Sequence, residues 1–144
     1  IWGTNSRLDN LQAGFGNIML KKIDKWNKIQ LNIAKHYSRN LKNLVEIPEY
    51  DLNISNPSFH QYIIKVKYRN KLKNYLKKNG IDTAIHYPIP IHRQKAFKKQ
   101  YGTIKLPKTE FYSNKILSLP INPYLKKREV DFIIKKIKQF YNES

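Results

Sequence analysis

The chain has 144 residues, with 28 basic against 10 acidic side chains, a formal net charge of +18 and no cysteine. A hydrophobic content of 40% suits a packed core and excludes a disordered chain, and the missing cysteine excludes a disulfide scaffold, a thiolate metal site or a cysteine nucleophile within these residues. No apolar run approaches the ~18 residues of a membrane span, and the start at Ile1 rather than Met suggests a piece of a longer reading frame.

Ser6, followed by Asp9 three residues later, fits a capping box with Ser6 as N-cap, so a helix is expected from there towards Leu20. Gly14 and Gly16 weaken it by roughly 1 kcal/mol each relative to alanine. A second, amphipathic helix follows, with Ile23, Trp26, Ile33, Tyr37 and Leu41 at helical spacing. Pro48 and the stretch from Asp51 to Pro57 read as loop. Tyr62, Ile64, Val66 and Tyr68 then alternate with Lys65 and Lys67, the pattern of a half-buried strand. Arg69 to Asn79 reads as a short helix stopped by Gly80, and Ile81 to Tyr87 as a second strand ended by Pro88 and Pro90. Short helices are expected over 92–99 and 109–117, an extended run over 118–121, and a last helix over 127–141 carrying Val130, Ile133, Ile134, Ile137 and Phe140 on one face. The sum is a small α+β domain, residues 45–144, behind a helical arm, residues 1–44. The arm is too long for so small a domain to bury, so it is expected to pack on something outside this chain.

The surplus charge has two readings. A pI near 10 is the footprint of a nucleic-acid binder. Yet only five of the 28 bases are arginine, the residue suited to bidentate phosphate and base contacts. The lysines instead spread over polar helix faces, as at Lys126, Lys127, Lys135, Lys136 and Lys138. Solvated faces are the expectation, with no nucleic-acid partner and no membrane.

Two constellations could carry chemistry. At Asn5-Ser6-Arg7-Leu8-Asp9 a helix N-terminus offers free N–H groups and partial positive charge, suited to a phosphate, with Asn5 adding a donor and Arg7 a positive fork. An ordinary capped helix with Arg7 in a salt bridge meets the same spacing. At His86-Tyr87-Pro88-Ile89-Pro90, leading to His92, a rigid exit from a strand can hold polar side chains outward. His86 and Tyr87 face opposite sides if the strand stays extended; a half-buried tyrosine beside a solvated histidine fits equally. His36 reads as a surface or packing residue and His60 as a structural hydrogen-bonder. The four histidines have no zinc-ligand spacing, so no metal site is expected.

Taken together, these stretches resemble the DegT/DnrJ/EryC1/StrS family of sugar aminotransferases. The resemblance rests on Asn5-Ser6-Arg7-Leu8-Asp9 with Leu11-Gln12-Ala13, Leu20 to Trp26-Asn27, Ile33-Ala34 with Tyr37, Gly80-Ile81 leading to Ile85-His86-Tyr87-Pro88-Ile89-Pro90-Ile91-His92 with Gln94, and Leu117-Ser118-Leu119-Pro120. These occur in family order over nearly the whole chain. The resemblance implies the C-terminal small domain of a fold-type I transferase that uses pyridoxal phosphate (PLP), preceded by helices continuing from the large domain. It implies a cytoplasmic homodimer with active sites shared across the interface. Asn5 and Arg7 would then bind the cofactor, and His86 and Tyr87 would line the nucleotide-sugar pocket of the neighbouring active site. The reaction implied is amination of a nucleotide-linked keto-hexose, with glutamate as donor, for deoxyamino-sugar or polysaccharide synthesis. The lysine that bonds to PLP lies before Asn5-Ser6-Arg7 in the family and so precedes Ile1, which leaves no catalytic residue in this chain and predicts that it is inactive alone. A PLP-dependent sugar dehydratase of the same fold, an inactive remnant, and a basic nucleic-acid-binding module are the alternatives.

Overall fold

The computed structural model describes residues 8–142. In chain order the elements are α1 (Asn10–Leu20), α2 (Ile23–Leu41), β1 (Tyr62–Lys65), α3 (Arg69–Lys78), a 3-10 turn (Ile91–Arg93), α4 (Lys95–Tyr101), α5 (Pro107–Ser113), β2 (Ile116–Leu119) and α6 (Lys127–Asn142).

Helix α1 begins after Asp9, whose backbone is extended and whose carboxylate accepts from the Gln12 N–H at 2.8 Å. Asp9, not Ser6, is therefore its N-cap. A carboxylate satisfies the free first-turn donors as well as a hydroxyl does, and Asp9 stands closer to the apolar run. Ser6 itself lies outside the described residues. The helix continues through Gly14 and Gly16, around which nothing is crowded. Leu11, Phe15 and Ile18 follow helical spacing along one face, and each is more than half exposed. Changing Leu11 and Ile18 together to lysine is expected to leave stability within about 0.5 kcal/mol and to reduce binding of a hydrophobic dye. Thermal unfolding and dye fluorescence check this. A larger loss of stability would mean that the face packs within the chain itself.

The core forms where α2, α3 and α6 close over the sheet. Helix α2 contributes Ile33, Ala34, Tyr37 and Leu41 from its second half. Helix α6 contributes Val130, Ile133, Ile134, Ile137 and Phe140, the stripe its 3.6-residue period requires. Leu72 and Leu76 of α3 complete the helical side. Helix α3 ends as Gly80 predicts: at φ +74° this glycine lets the Ile81 N–H reach back to the Leu76 carbonyl at 2.9 Å.

Strand β1 buries Tyr62 and Ile64, and Val66 follows them into the core. Tyr68 does not. The chain has left the strand by then, and Tyr68 serves as the exposed N-cap residue of α3. The partner strand differs from the expectation. β1 pairs antiparallel with β2, Tyr62 opposite Leu119 and Lys65 opposite Ile116. The segment from Ile81 to Tyr87 is reduced to one bridge, in which Ala84 and Ser118 exchange backbone hydrogen bonds of 3.3 and 2.8 Å. Beyond it Pro88 and Pro90 lack the N–H groups that would extend the ladder. On the other edge, Glu46 exchanges bonds with Lys65 in the same way. Residues 116–119 are strand rather than the end of a helix because α5 stops early. The Ser113 hydroxyl and the Asn114 amide both bond back to the Glu110 carbonyl, at 2.9 and 3.0 Å, and end the helix there.

Candidate functional site

The sheet end holds the site. From Ala84, anchored on β2, the chain runs through His86 and Tyr87, turns at Pro88 and Pro90, and makes the 3-10 turn before α4. It returns through α5 to β2. Between the outgoing and returning legs lies an open groove of about 540 Å³. Its walls are mainly apolar, from residues such as Phe97, Leu106 and Ile116, with His86, Tyr87, His92 and Gln94 as the polar side chains on the outgoing leg. A concave apolar face with a few placed donors is what a small organic ligand requires.

His86 and Tyr87 both line this groove, and the segment that carries them is not a strand at that point. Their rings meet edge to face with centroids 5.5 Å apart. Tyr87 is 69% exposed, whereas His86 is half-buried and its Nδ1 lies 2.9 Å from the Ser118 hydroxyl. His86 and Ser118 also border a smaller cavity of about 290 Å³, beside His60. His60 is exposed and makes no hydrogen bond among the described residues, contrary to the structural bond expected of it. His36, read as surface or packing, links α2 to α6 through a 2.6 Å bond to Asp131.

Sequence reasoning missed the residue that ties the groove together. Glu110, in the first turn of α5, accepts from Arg93 Nε at 3.2 Å and Nη2 at 2.6 Å, from His92 Nε2 at 3.0 Å, and from the Leu106 N–H at 3.2 Å. These bonds join the 3-10 turn on one leg to α5 on the other. His92 is only 4% exposed. An ionised carboxylate can only accept, so the His92 Nε2 carries the hydrogen. The Arg93 guanidinium, then His92 and the Leu106 N–H, hold the Glu110 carboxyl down to about 2. A signal was available: Glu110 is the acid in the first turn of a helix opened by Pro107, where a carboxylate meets free N–H groups.

Asn5 and Arg7, expected at the cofactor, lie outside the described residues. No lysine or arginine is among the residues lining the groove. The groove therefore has neither an amine to bond with an aldehyde nor a cation for a phosphate, and it does not itself fit PLP. Its donors suit an uncharged or hydroxyl-rich ligand face. Among the described residues no group of three or more histidine, aspartate or glutamate side chains could hold a metal ion, and no helix is long and apolar enough to cross a membrane.

The family model described as the DegT/DnrJ/EryC1/StrS aminotransferase family matches residues 1–138. A "Pleiotropic regulatory protein" of Geobacillus stearothermophilus is 34% identical over 98% of this chain and 39% of its own length. A "dTDP-3-amino-3,4,6-trideoxy-alpha-D-glucose transaminase" of Streptomyces venezuelae is 32% identical over 96% of this chain and 37% of its own length. Among solved structures, a DegT DnrJ EryC1 StrS aminotransferase from Brucella abortus superposes with a TM-score of 0.89 at 35% identity, over 96% of this chain and 37% of that one. NtdA from Bacillus subtilis, with bound cofactor PMP, superposes at 0.87 and 29% identity, over 97% of this chain and 34% of that one. The chain thus spans under two fifths of the length of each of these relatives.

Proposed function

The chain belongs to the DegT/DnrJ/EryC1/StrS aminotransferase family, and from that premise we propose that it is the C-terminal part of an enzyme that aminates a nucleotide-linked keto-hexose. Enzymes of this family depend on PLP, which supplies an electron sink for moving an amino group between carbon skeletons. In this reading residues 1–44 are the arm continuing from a large cofactor domain and residues 45–144 are the small domain. Glutamate is the amino donor, and the enzyme is a homodimer. Asn5 and Arg7 reach the cofactor across the interface, while His86 and Tyr87 line the nucleotide-sugar pocket of the neighbouring active site.

The observation that supports this most is the groove beside His86 and Tyr87. It is concave and mainly apolar, with no lysine, arginine, aspartate or glutamate among its lining residues, and in this reading its work is to bind and orient the ligand. The exposed Tyr87 phenol and the His86 ring supply hydrogen bonds to the hydroxyl oxygens of the sugar. The apolar walls exclude water from the ligand face they cover.

Two measurements test the reading. The 144-residue chain, supplied with PLP, glutamate and a nucleotide-linked keto-hexose, is expected to form no amino sugar; turnover would refute the absence of a catalytic residue. The Streptomyces venezuelae relative, with the segment that this chain matches replaced by this chain, is expected to turn over. Its His86→Ala form should show a KM for the sugar nucleotide raised about tenfold, the loss of one substrate hydrogen bond. A functional hybrid whose KM ignores both His86→Ala and Tyr87→Phe would remove the groove from the substrate pocket.

A further inference from the structure

We propose that Ser118 is a positioning residue that fixes His86 as the tautomer with its hydrogen on Nε2, so that this N–H is the donor His86 offers to a ligand oxygen. The assignment of the tautomer stands on the structure alone. The ligand half rests on the reading of the groove as the sugar-nucleotide pocket.

The argument starts from the strand period. In β2, Leu117 and Leu119 point into the core, and both are buried. Side chains alternate along a strand, so Ser118 points to the opposite face. On a small sheet that face would be open to solvent, yet Ser118 is only 6% exposed. The segment containing Ala84 and His86 covers it, with Ala84 bonded to the Ser118 backbone in both directions.

A buried hydroxyl has a hydrogen that needs an acceptor. The only side-chain partner of Ser118 among the described residues is His86 Nδ1, at 2.9 Å. If Nδ1 carried the hydrogen of the neutral ring, it would donate to the serine oxygen and leave the hydroxyl proton with no acceptor among the described residues. If Nδ1 is bare, the hydroxyl donates to it and both groups are satisfied. The ring hydrogen is then on Nε2, the nitrogen with no partner among the described residues. The Ser118 backbone is locked between Ile63 and Ala84, so the hydroxyl is a fixed point and the imidazole is oriented from the sheet. A histidine on a proline-bounded loop thereby gains the positional precision of a strand.

The test has two arms. Long-range proton–nitrogen spectra of the 15N-labelled 144-residue chain, taken well above the ordinary histidine pKa of about 6.5, report which ring nitrogen bears hydrogen. The expected result is a bare Nδ1 in the wild type, a mixture of both forms in Ser118→Ala, and return to the wild-type pattern in Ser118→Thr. A wild-type chain with hydrogen on Nδ1, or a Ser118→Ala spectrum identical to the wild type, overturns the proposal. Should Ser118→Ala fail to fold, the wild-type and Ser118→Thr spectra still decide it.

In the second arm, the hybrid enzyme carrying Ser118→Ala is expected to show a KM for the sugar nucleotide raised about five- to tenfold, with kcat and cofactor absorbance unchanged and with rescue by Ser118→Thr. An unmoved KM in Ser118→Ala, where His86→Ala raises it, overturns the role of Ser118. An unmoved KM in both variants overturns the groove reading, and the spectra then judge the tautomer separately.

Discussion

Replacing Tyr37 by alanine is expected to cost the chain about 3–5 kcal/mol, the range for removing a large ring from a core that cannot collapse around the gap. Tyr37 is fully buried at the junction of α2, β1 and the segment after β2. Its ring lies 5.1 Å from that of Tyr62, and its hydroxyl donates to the Pro120 carbonyl at 2.9 Å. A domain of this size is held by about 5–15 kcal/mol in total, so the alanine variant should be partly unfolded at 37 °C. Tyr37→Phe keeps the ring and should cost about 1 kcal/mol, the net value of one hydrogen bond. Urea unfolding followed by circular dichroism separates the two. Equal losses in the two variants would mean that the hydroxyl, not the ring, holds this junction.

The same junction sets an alkaline limit. Burial pushes the Tyr62 hydroxyl up to about 12, against the opposing pull of its bond with Ser38, and raises the Tyr37 hydroxyl further. Both shifts are upward, so their contribution is fully present below the unfolded value near 10 and is lost as pH rises through the folded values. A neutral phenol is what the core holds, and ionisation of the unfolded chain draws the equilibrium away from it.

How far the fold could be read in advance depended on the range of the contacts. The stripes of α2 and α6 are local periodicities, and a side chain every three or four residues reveals them without knowledge of the partner. Gly80 is equally local, because a positive φ at the end of a helix needs no tertiary contact to demand glycine. The second strand was misplaced because Ile81 to Tyr87 and Ile116 to Leu119 are both short apolar runs, and only pairing with β1 tells them apart. The first cap was misassigned because Ser6 and Asp9 are both good caps three residues apart. His86 and Tyr87, which line the groove, stand out in the sequence through the proline pattern and the family resemblance. Glu110 and Ser118 do not, because each acts on a residue 17 to 32 positions away.

Acidification should open the groove before it unfolds the core. The Glu110 carboxyl, ordinarily near 4.5, is held at about 2 by Arg93, His92 and the Leu106 N–H. The shift is downward, so the stability it contributes is fully present above the unfolded value and is lost as pH falls from about 4.5 through about 2. Protonation replaces one acceptor with a donor facing His92 and Arg93, and the 3-10 turn then loses its tie to α5. Among the described residues no carboxylate is buried in the core, whose cluster is made of aliphatic and aromatic side chains. Amide and histidine resonances of residues 91–93 should therefore shift in that window while those of Leu72, Leu76 and Ile137 stay in place. Glu110→Gln should bring the low-pH resonances of residues 91–93 to neutral pH and abolish the step. Glu110→Asp, which keeps the charge on a shorter stem, should keep the step at reduced size. Salt adds a second discriminator, because Arg93 is partly exposed whereas His92 is buried. High ionic strength should weaken the arginine tie and leave the histidine bond. A Glu110→Gln chain whose residues 91–93 match the wild type at neutral pH would mean that the prolines and apolar walls hold the groove by themselves.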